Sequence, residues 1–381
     1  MTVRELIYLD SAATSYFRPP EVWEAVRRSM QLHAGYGRSG HRAAAMAEAA
    51  VYDCRCAAAS FFHLPGPERV VFTWNATHAL NTAIFGLAEK GKRVVLSGYE
   101  HNAVLRPLRE LERRGDVTVD VAASPLDNPE DAVAAFDSRL DDSCGLCVCT
   151  MVSNVFGTVL PVGEIGRLCR SRGIPFVVDA SQAAGTIDVD AEKLDADVIC
   201  VPGHKGLLGP TGTGMMLLCS DRYPRPMQFG GTGGRSADPA MPEEPPERYE
   251  SGTLNVAGIC GLGAGIRFVS AHQPWIRLHE SALAAYLRGE LAELPGVTVY
   301  PSSAECGLFS FSVDCADSET VAADLAARNI AVRGGLHCAP LAHQTAGTMN
   351  GGTVRVSFGF RNSRRECDRF LYALSAILRE K

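Results

Sequence analysis

From residue 69 to residue 219 the chain alternates short β-rich runs with helical stretches, and no other feature restricts its fold as much. Arg69-Val70-Val71-Phe72-Thr73 precedes a helical pattern over 79–89, and Arg93-Val94-Val95-Leu96-Ser97 precedes one over 103–114. The run 145–152 precedes a helical 163–172, and Pro175-Phe176-Val177-Val178-Asp179, 197–201 and 214–219 follow. Such alternation predicts a mainly parallel sheet covered by helices. The runs are almost continuously apolar, as a sheet buried on both faces requires. The texture changes over 224–253, where Gly230-Gly231-Thr232-Gly233-Gly234 and Pro239, Pro242, Pro245 and Pro246 mark a long loop. Two helical patterns, 256–272 and 276–293, come next. The tail then alternates strand and helix through 307–313, 321–328, 353–358 and 364–378. The expected organisation is a large domain over 15–255 and a smaller C-terminal α/β domain over 256–381, joined by the N-terminal segment 1–14. A chain of 381 residues is long enough for two cores.

Composition narrows the function classes. The net charge of -6 gives no reason to expect a nucleic-acid partner, and the acidic pair Glu243-Glu244 sits among prolines as a solvated loop. The first ten residues carry no apolar core of signal-peptide length, and no run approaches the roughly 20 apolar residues of a membrane span. A cytoplasmic protein without a membrane partner is expected. Thirteen cysteines, an odd number in a long chain, argue against a disulfide framework. Cys144 and Cys147 have C-x-x-C spacing, but no second pair follows at zinc-site distance. On a strand, odd and even positions face opposite ways. No metal is expected.

Five polar tips fall at successive strand ends. Val201-Pro202-Gly203-His204-Lys205-Gly206 puts a lysine just past a buried strand, where it is either a surface turn or an amine able to form an imine with an aldehyde. Phe176-Val177-Val178-Asp179 ends a buried strand with an acid, either a helix N-cap or a partner for a protonated pyridine nitrogen. Thr73-Trp74-Asn75-Ala76-Thr77 joins a strand to a helix N-terminus, whose free amides suit a phosphate. Tyr99-Glu100-His101-Asn102 offers a histidine able to stack on a flat ring. Met151-Val152-Ser153-Asn154 is the fifth tip. Ligands in α/β proteins gather at the C-terminal edge of the sheet, so five such tips point to one pocket. The cluster Gly209, Gly212 and Gly214 precedes a strand instead of opening a helix after one, which excludes a dinucleotide loop.

With these residues in view, the chain resembles pyridoxal-phosphate (PLP) enzymes of fold type I, aminotransferase class V, and among them the cysteine desulfurases. The resemblance runs from Leu9-Asp10-Ser11-Ala12-Ala13-Thr14 to Val354-Arg355-Val356-Ser357. It implies a large domain with a mainly parallel seven-stranded sheet and a smaller C-terminal α/β domain. It also implies PLP held as a Schiff base on Lys205, with Asp179 on the pyridine nitrogen and Gln182 on the ring hydroxyl. His101 would stack on the ring and act with Lys205 in catalysis. Ala76, Thr77 and His204 would hold the phosphate, and Asn154 would line the ring and substrate site. Thr253, in Glu250-Ser251-Gly252-Thr253, matches a residue that reaches the neighbouring subunit's phosphate, which implies a homodimer. Arg355 would grip the substrate carboxylate through paired hydrogen bonds. Arg333-Gly334-Gly335-Leu336-His337-Cys338-Ala339 is similar to the segment around the sulfur-accepting cysteine of the SufS-like second group, which holds it on a short ordered loop. Three positions depart from the family pattern. Pro202 replaces a Ser or Thr and so loses a hydroxyl and an N–H. His78 stands where a glutamate is usual, and Leu336 where a histidine is.

The implied reaction converts L-cysteine to L-alanine and leaves sulfur as a persulfide on Cys338, from which an acceptor protein or small thiol takes it. Selenocysteine lyase activity is the alternative on the same contacts. Another class V lyase or aminotransferase, or a non-catalytic scaffold, would have no need of Cys338.

Overall fold

In the computed structural model, which describes residues 6–37, 39–128, 130–234 and 237–380, the apolar runs pair into one seven-stranded sheet. Residues 1–5 of the expected N-terminal segment and Lys381 lie outside the described residues. The chain opens with β1 (Ile7–Tyr8), α1 (Pro20–Leu32) and α2 (Arg42–Phe61). The alternating region follows as β2 (Val70–Thr73), α3 (Ala76–Leu87), β3 (Arg93–Ser97), α4 (Asn102–Arg113), β4 (Thr118–Ala122), α5 (Asp131–Asp137) and β5 (Cys144–Thr150). It continues as α6 (Val162–Ser171), β6 (Phe176–Asp179), α7 (Ala191–Leu194), β7 (Val198–Pro202) and β8 (Gly214–Leu218). The tail comprises α8 (Val256–Ala292), β9 (Val297–Val299), β10 (Leu308–Val313), α9 (Ser318–Ala327), β11 (Ile330–Ala331), α10 (Pro340–Thr345), β12 (Val354–Ser357) and α11 (Arg364–Glu380).

The large sheet has the order β2-β8-β7-β6-β5-β3-β4. Its strands run parallel except β8, which is antiparallel to both β7 and β2. Period-two alternation divides each strand between two cores. Phe176, Val178, Ile199 and Val201 join one cluster, while Val177, Val198 and Cys200 join the other. The cysteines of β5 break the expected alternation, because Cys144, Cys147 and Cys149 all enter the same cluster. A register irregularity between Arg93 and Val94, opposite Cys144 and Leu146, resets the side-chain phase. Burial pushes the Cys144 thiol up, and those of Cys147 and Cys149 well up. Among the described residues no group of three His, Cys, Asp or Glu side chains could hold a metal ion.

A third cluster gathers the tail and the N-terminus: Ile7 and Leu9 pack with Leu287, Phe309, Phe311 and Phe370. Here β12, β10 and β9 form an antiparallel sheet, and β1 pairs in parallel with β11. The two helical patterns expected over 256–272 and 276–293 are one 37-residue helix, α8, running through Pro274. A proline forfeits one helical hydrogen bond. Burial at both ends outweighs that loss: Ile259, Leu262 and Ile266 enter the first large-sheet cluster, and Leu283, Leu287 and Leu291 the third.

Candidate active site

The C-terminal ends of β3, β5, β6 and β7 and the N-terminus of α3 surround a cavity of about 210 Å³. Asp179 closes β6, buried, and its carboxylate accepts the Ser181 N–H at 2.9 Å. Past β7 the chain turns through Gly203 and Gly206 to present Lys205. A Cβ at Gly203 would overlap the Thr213 hydroxyl, and one at Gly206 the Ala184 carbonyl, so the turn packs more tightly than any other residue permits. The N-terminal segment clasps this turn. Ser15 donates from its N–H to the His204 carbonyl at 2.9 Å and from its hydroxyl to the Lys205 carbonyl at 2.7 Å. Thr14 meets His204 Nδ1 at 3.0 Å. Desolvation pulls the Lys205 ammonium down to about 8, with Asp179 opposing and Arg355 and Arg333 adding to the shift. An amine so held is part free base near neutral pH and can attack an aldehyde.

Asn75 caps α3 by accepting the His78 N–H at 2.9 Å, and the first-turn amides of Ala76 and Thr77 remain for an anion. His101 caps α4: its Nδ1 accepts the Ala103 N–H at 3.0 Å. Desolvation pushes this imidazole down to about 4, so the ring is neutral at pH 7 and carries its proton on Nε2. Gln182 donates to the Ala12 carbonyl at 3.1 Å.

Arg355 is fully buried, on β12. Its guanidinium donates to the Asn154 carbonyl at 2.9 Å and pairs with Asp10 at 2.7 Å, while its Nε has no partner. Burial lowers its hold on the proton, and Asp10 opposes that. Two of its five donors are thus engaged within the protein, and a ligand carboxylate would meet the remaining ones.

The cavity therefore brings together Lys205, Asp179, Gln182, His101 and Ala76, and with them Thr77, His204, Asn154 and Arg355. Two expected residues lie outside its lining. Cys338 is exposed on the loop between β11 and α10, although its neighbours His337 and Arg333 line the cavity. Thr253 is exposed in a separate groove with Trp74 and His78.

The cysteine loop has a fixed backbone. His337 and Cys338 adopt positive φ of 51 and 57 degrees, a region that costs a residue with a Cβ. Three hydrogen bonds hold it there. Asn154 Nδ2 donates to the His337 carbonyl at 2.8 Å, Asn102 N–H to the Cys338 carbonyl at 2.7 Å, and His337 Nε2 to the Thr353 carbonyl at 2.9 Å. Arg333 Nη2 lies 3.6 Å from the Cys338 sulfur. Sequence reasoning gave Arg333 and His337 no role of their own. Their signal was the spacing to Cys338 in a segment already recognised.

PLP, which the resemblance implies, fits what is present. Asn154 Oδ1, Arg355 Nε and His337 Nδ1 are buried polar atoms without a partner, and all belong to residues lining the cavity. Buried polar groups are normally satisfied, so these suit a polar ligand. The amine, the acid and the helix N-terminus match its aldehyde, ring nitrogen and phosphate.

Comparison with known proteins agrees with this chemistry. The family model described as aminotransferase class-V matches residues 7–370. A probable cysteine desulfurase of Methanothermobacter thermautotrophicus is 33% identical over 376 residues, 96% of this chain and 92% of the relative. A cysteine desulfurase of Dickeya dadantii is 32% identical over 98% of this chain and 92% of its own length. The apo structure of cysteine desulfurase from Thermococcus onnurineus superposes with a TM-score of 0.89 at 31% identity, covering 99% of this chain and 96% of that one.

Proposed function

The chain belongs to the aminotransferase class V family, whose members share PLP fold type I, and from that premise we propose that it is a PLP-dependent cysteine desulfurase. The observation that carries this reading is one cavity lined by Lys205, Asp179 and Arg355, with the loop of Cys338 at its edge through His337 and Arg333. PLP bound there supplies an electron sink, which acidifies the substrate Cα and weakens the bond from Cβ to sulfur. In our reading Asp179 would meet the ring nitrogen, His101 would stack on the ring, Gln182 would meet its hydroxyl, and Ala76, Thr77 and His204 would hold the phosphate. The Lys205 amine takes the Cα proton of L-cysteine, while Arg355 and Asn154 orient its carboxylate. The Cys338 sulfur then attacks the substrate sulfur. An S–S bond forms as the Cβ–S bond breaks, the carbon gains a proton, and L-alanine leaves.

We assign the chain to the second, SufS-like group, because hydrogen bonds on both sides of Cys338 hold a short ordered loop. A homodimer is the proposed assembly, with exposed Thr253 facing the partner's site. A thiol, on a protein or a small molecule, would take the sulfur. The cytoplasm is the proposed compartment: all thirteen cysteines are free, and among the described residues no helix is long and apolar enough to cross a membrane. Alanine release measured side by side from L-cysteine, cystine and L-selenocysteine tests the reading. Release from cysteine that depends on PLP supports it; release from selenocysteine alone would favour a lyase.

A further inference from the structure

Glu100 follows β3 directly before His101 and is completely buried. One carboxyl oxygen accepts both the Ser97 hydroxyl and, at 2.7 Å, the Thr150 N–H. The other is buried without a partner. The titratable groups that face it are Asp179 on β6 and Cys149 on β5, and neither brings positive charge. Ionised, Glu100 would be a buried anion with two hydrogen-bond donors on one oxygen, none on the other, and the Asp179 carboxylate nearby, a costly arrangement. Desolvation accordingly pushes it up to about 8.

Its hydrogen bonds tie separate strand ends together. Ser97 ends β3 and Thr150 ends β5. Thr150 is in turn the register partner of Asp179 on β6, and its hydroxyl reaches the Asp179 carbonyl at 3.4 Å. Glu100 is therefore covalently next to His101 and one hydrogen-bonded residue from Asp179. Both side chains line the cavity, and the PLP reading gives His101 to the face of the ring and Asp179 to its nitrogen.

We propose that Glu100 is a positioning residue that stays protonated in the folded protein: a neutral carboxylic acid that clips the ends of β3 and β5 and fixes the spacing from His101 to Asp179. The inference rests on the PLP reading for its purpose, but the neutral clip itself is a property of the protein alone.

Glu100→Gln keeps the shape and the acceptor oxygen and cannot ionise; Glu100→Ala removes the clip. The first readout is urea denaturation of the cofactor-free protein at pH 5 and pH 8. A carboxyl whose folded value is raised from 4.5 to about 8 contributes stability that falls as pH rises across that window, because the unfolded chain ionises first. Glu100→Gln lacks this loss, so its midpoint should lie near wild type at pH 5 and above it at pH 8. The second readout is PLP affinity, followed by the visible absorbance of the Lys205-linked cofactor. Glu100→Gln should stay within about threefold of wild type and Glu100→Ala should weaken by roughly tenfold or more, the scale of lost buried hydrogen bonds. Glu100→Gln falling below wild type at pH 8, or weakening PLP as much as Glu100→Ala, overturns the proposal. So does Glu100→Ala matching wild type in both. Should Glu100→Ala fail to fold, Glu100→Gln against wild type decides alone. A wild-type protein without any cofactor absorbance would instead overturn the PLP reading.

Discussion

Arg333 and Arg355 exchange backbone hydrogen bonds and line one cavity, and Asp10 pairs with Arg355. Two guanidiniums gathered this way attract a carboxylate and also hold the nearby Lys205 ammonium down. Arg355→Ala should raise KM for cysteine roughly ten- to a hundredfold, since a charged hydrogen-bonded contact is worth about 1.5–3 kcal/mol. It also strips Asp10 of its partner, so the denaturation midpoint should fall too. Arg355→Lys should recover the midpoint by keeping that ion pair, without recovering KM, because an ammonium lacks the planar fork. An unchanged KM in Arg355→Ala would place the carboxylate anchor elsewhere. Lys205→Ala should abolish both the visible absorbance of the bound cofactor and turnover; keeping both would refute the assignment. At this scale the sequence was most readable where chemistry coincided with a strand end, as at Asp179 and Lys205. Arg333 carries no such cue: only the long-range bridge between residues 333 and 355 brings it into the cavity. The burial of Glu100 was equally hidden, because in sequence it looks like an ordinary loop acid.

Among the elements, the turn from β7 to Lys205 has no room for a side chain at either of its glycines. Gly206→Ala would drive a Cβ into the Ala184 carbonyl and should cost about 1–3 kcal/mol, the scale of overpacking in a well-packed interior. Urea denaturation would measure it, and a midpoint equal to wild type would mean the turn has room to relax. The strands β2, β3, β5, β6, β7 and β8 were legible because each is buried on both faces. Other elements carry no comparable signal: α1, α2, β4, α5 and α7, with the short β1, β9, β11 and α10, lie outside the runs the sequence singles out, and its two patterns over 256–293 are the one helix α8. Strand β4 is half-exposed in most of its residues, and α2 is an alanine-rich helix buried against α8, so neither shows a clean apolar period. The two halves of α8 pack into different clusters, and we propose on that ground that the helix joins the two domains instead of beginning the second.

Over the whole molecule, the site draws on the large sheet and on the tail. Lys205 and Asp179 come from the large sheet, and Arg355 and the Cys338 loop from the tail. Glu280, on the C-terminal half of α8, lies in a narrow cleft that Lys205 also borders, and burial alone pushes it up to about 8. Its contribution to stability should fall as pH rises from 4.5 to about 8, so Glu280→Gln should gain in melting temperature over wild type at pH 8 and little at pH 5. Equal differences at both values would mean that Glu280 is ionised in the fold. In the proposed reaction sulfur passes from a substrate held mainly by the large sheet to a cysteine held by the tail. Cys338→Ser leaves the cavity lining intact and replaces the sulfur with a hydroxyl that is hardly ionised near neutral pH. The decisive measurement is the intact mass of wild type and Cys338→Ser after L-cysteine, taken together with alanine release. One added sulfur is expected on wild type at Cys338 and none on Cys338→Ser, with alanine release collapsing in the variant while its cofactor absorbance survives. Alanine and sulfide released from cysteine by Cys338→Ser at the wild-type rate would contradict the proposed reaction.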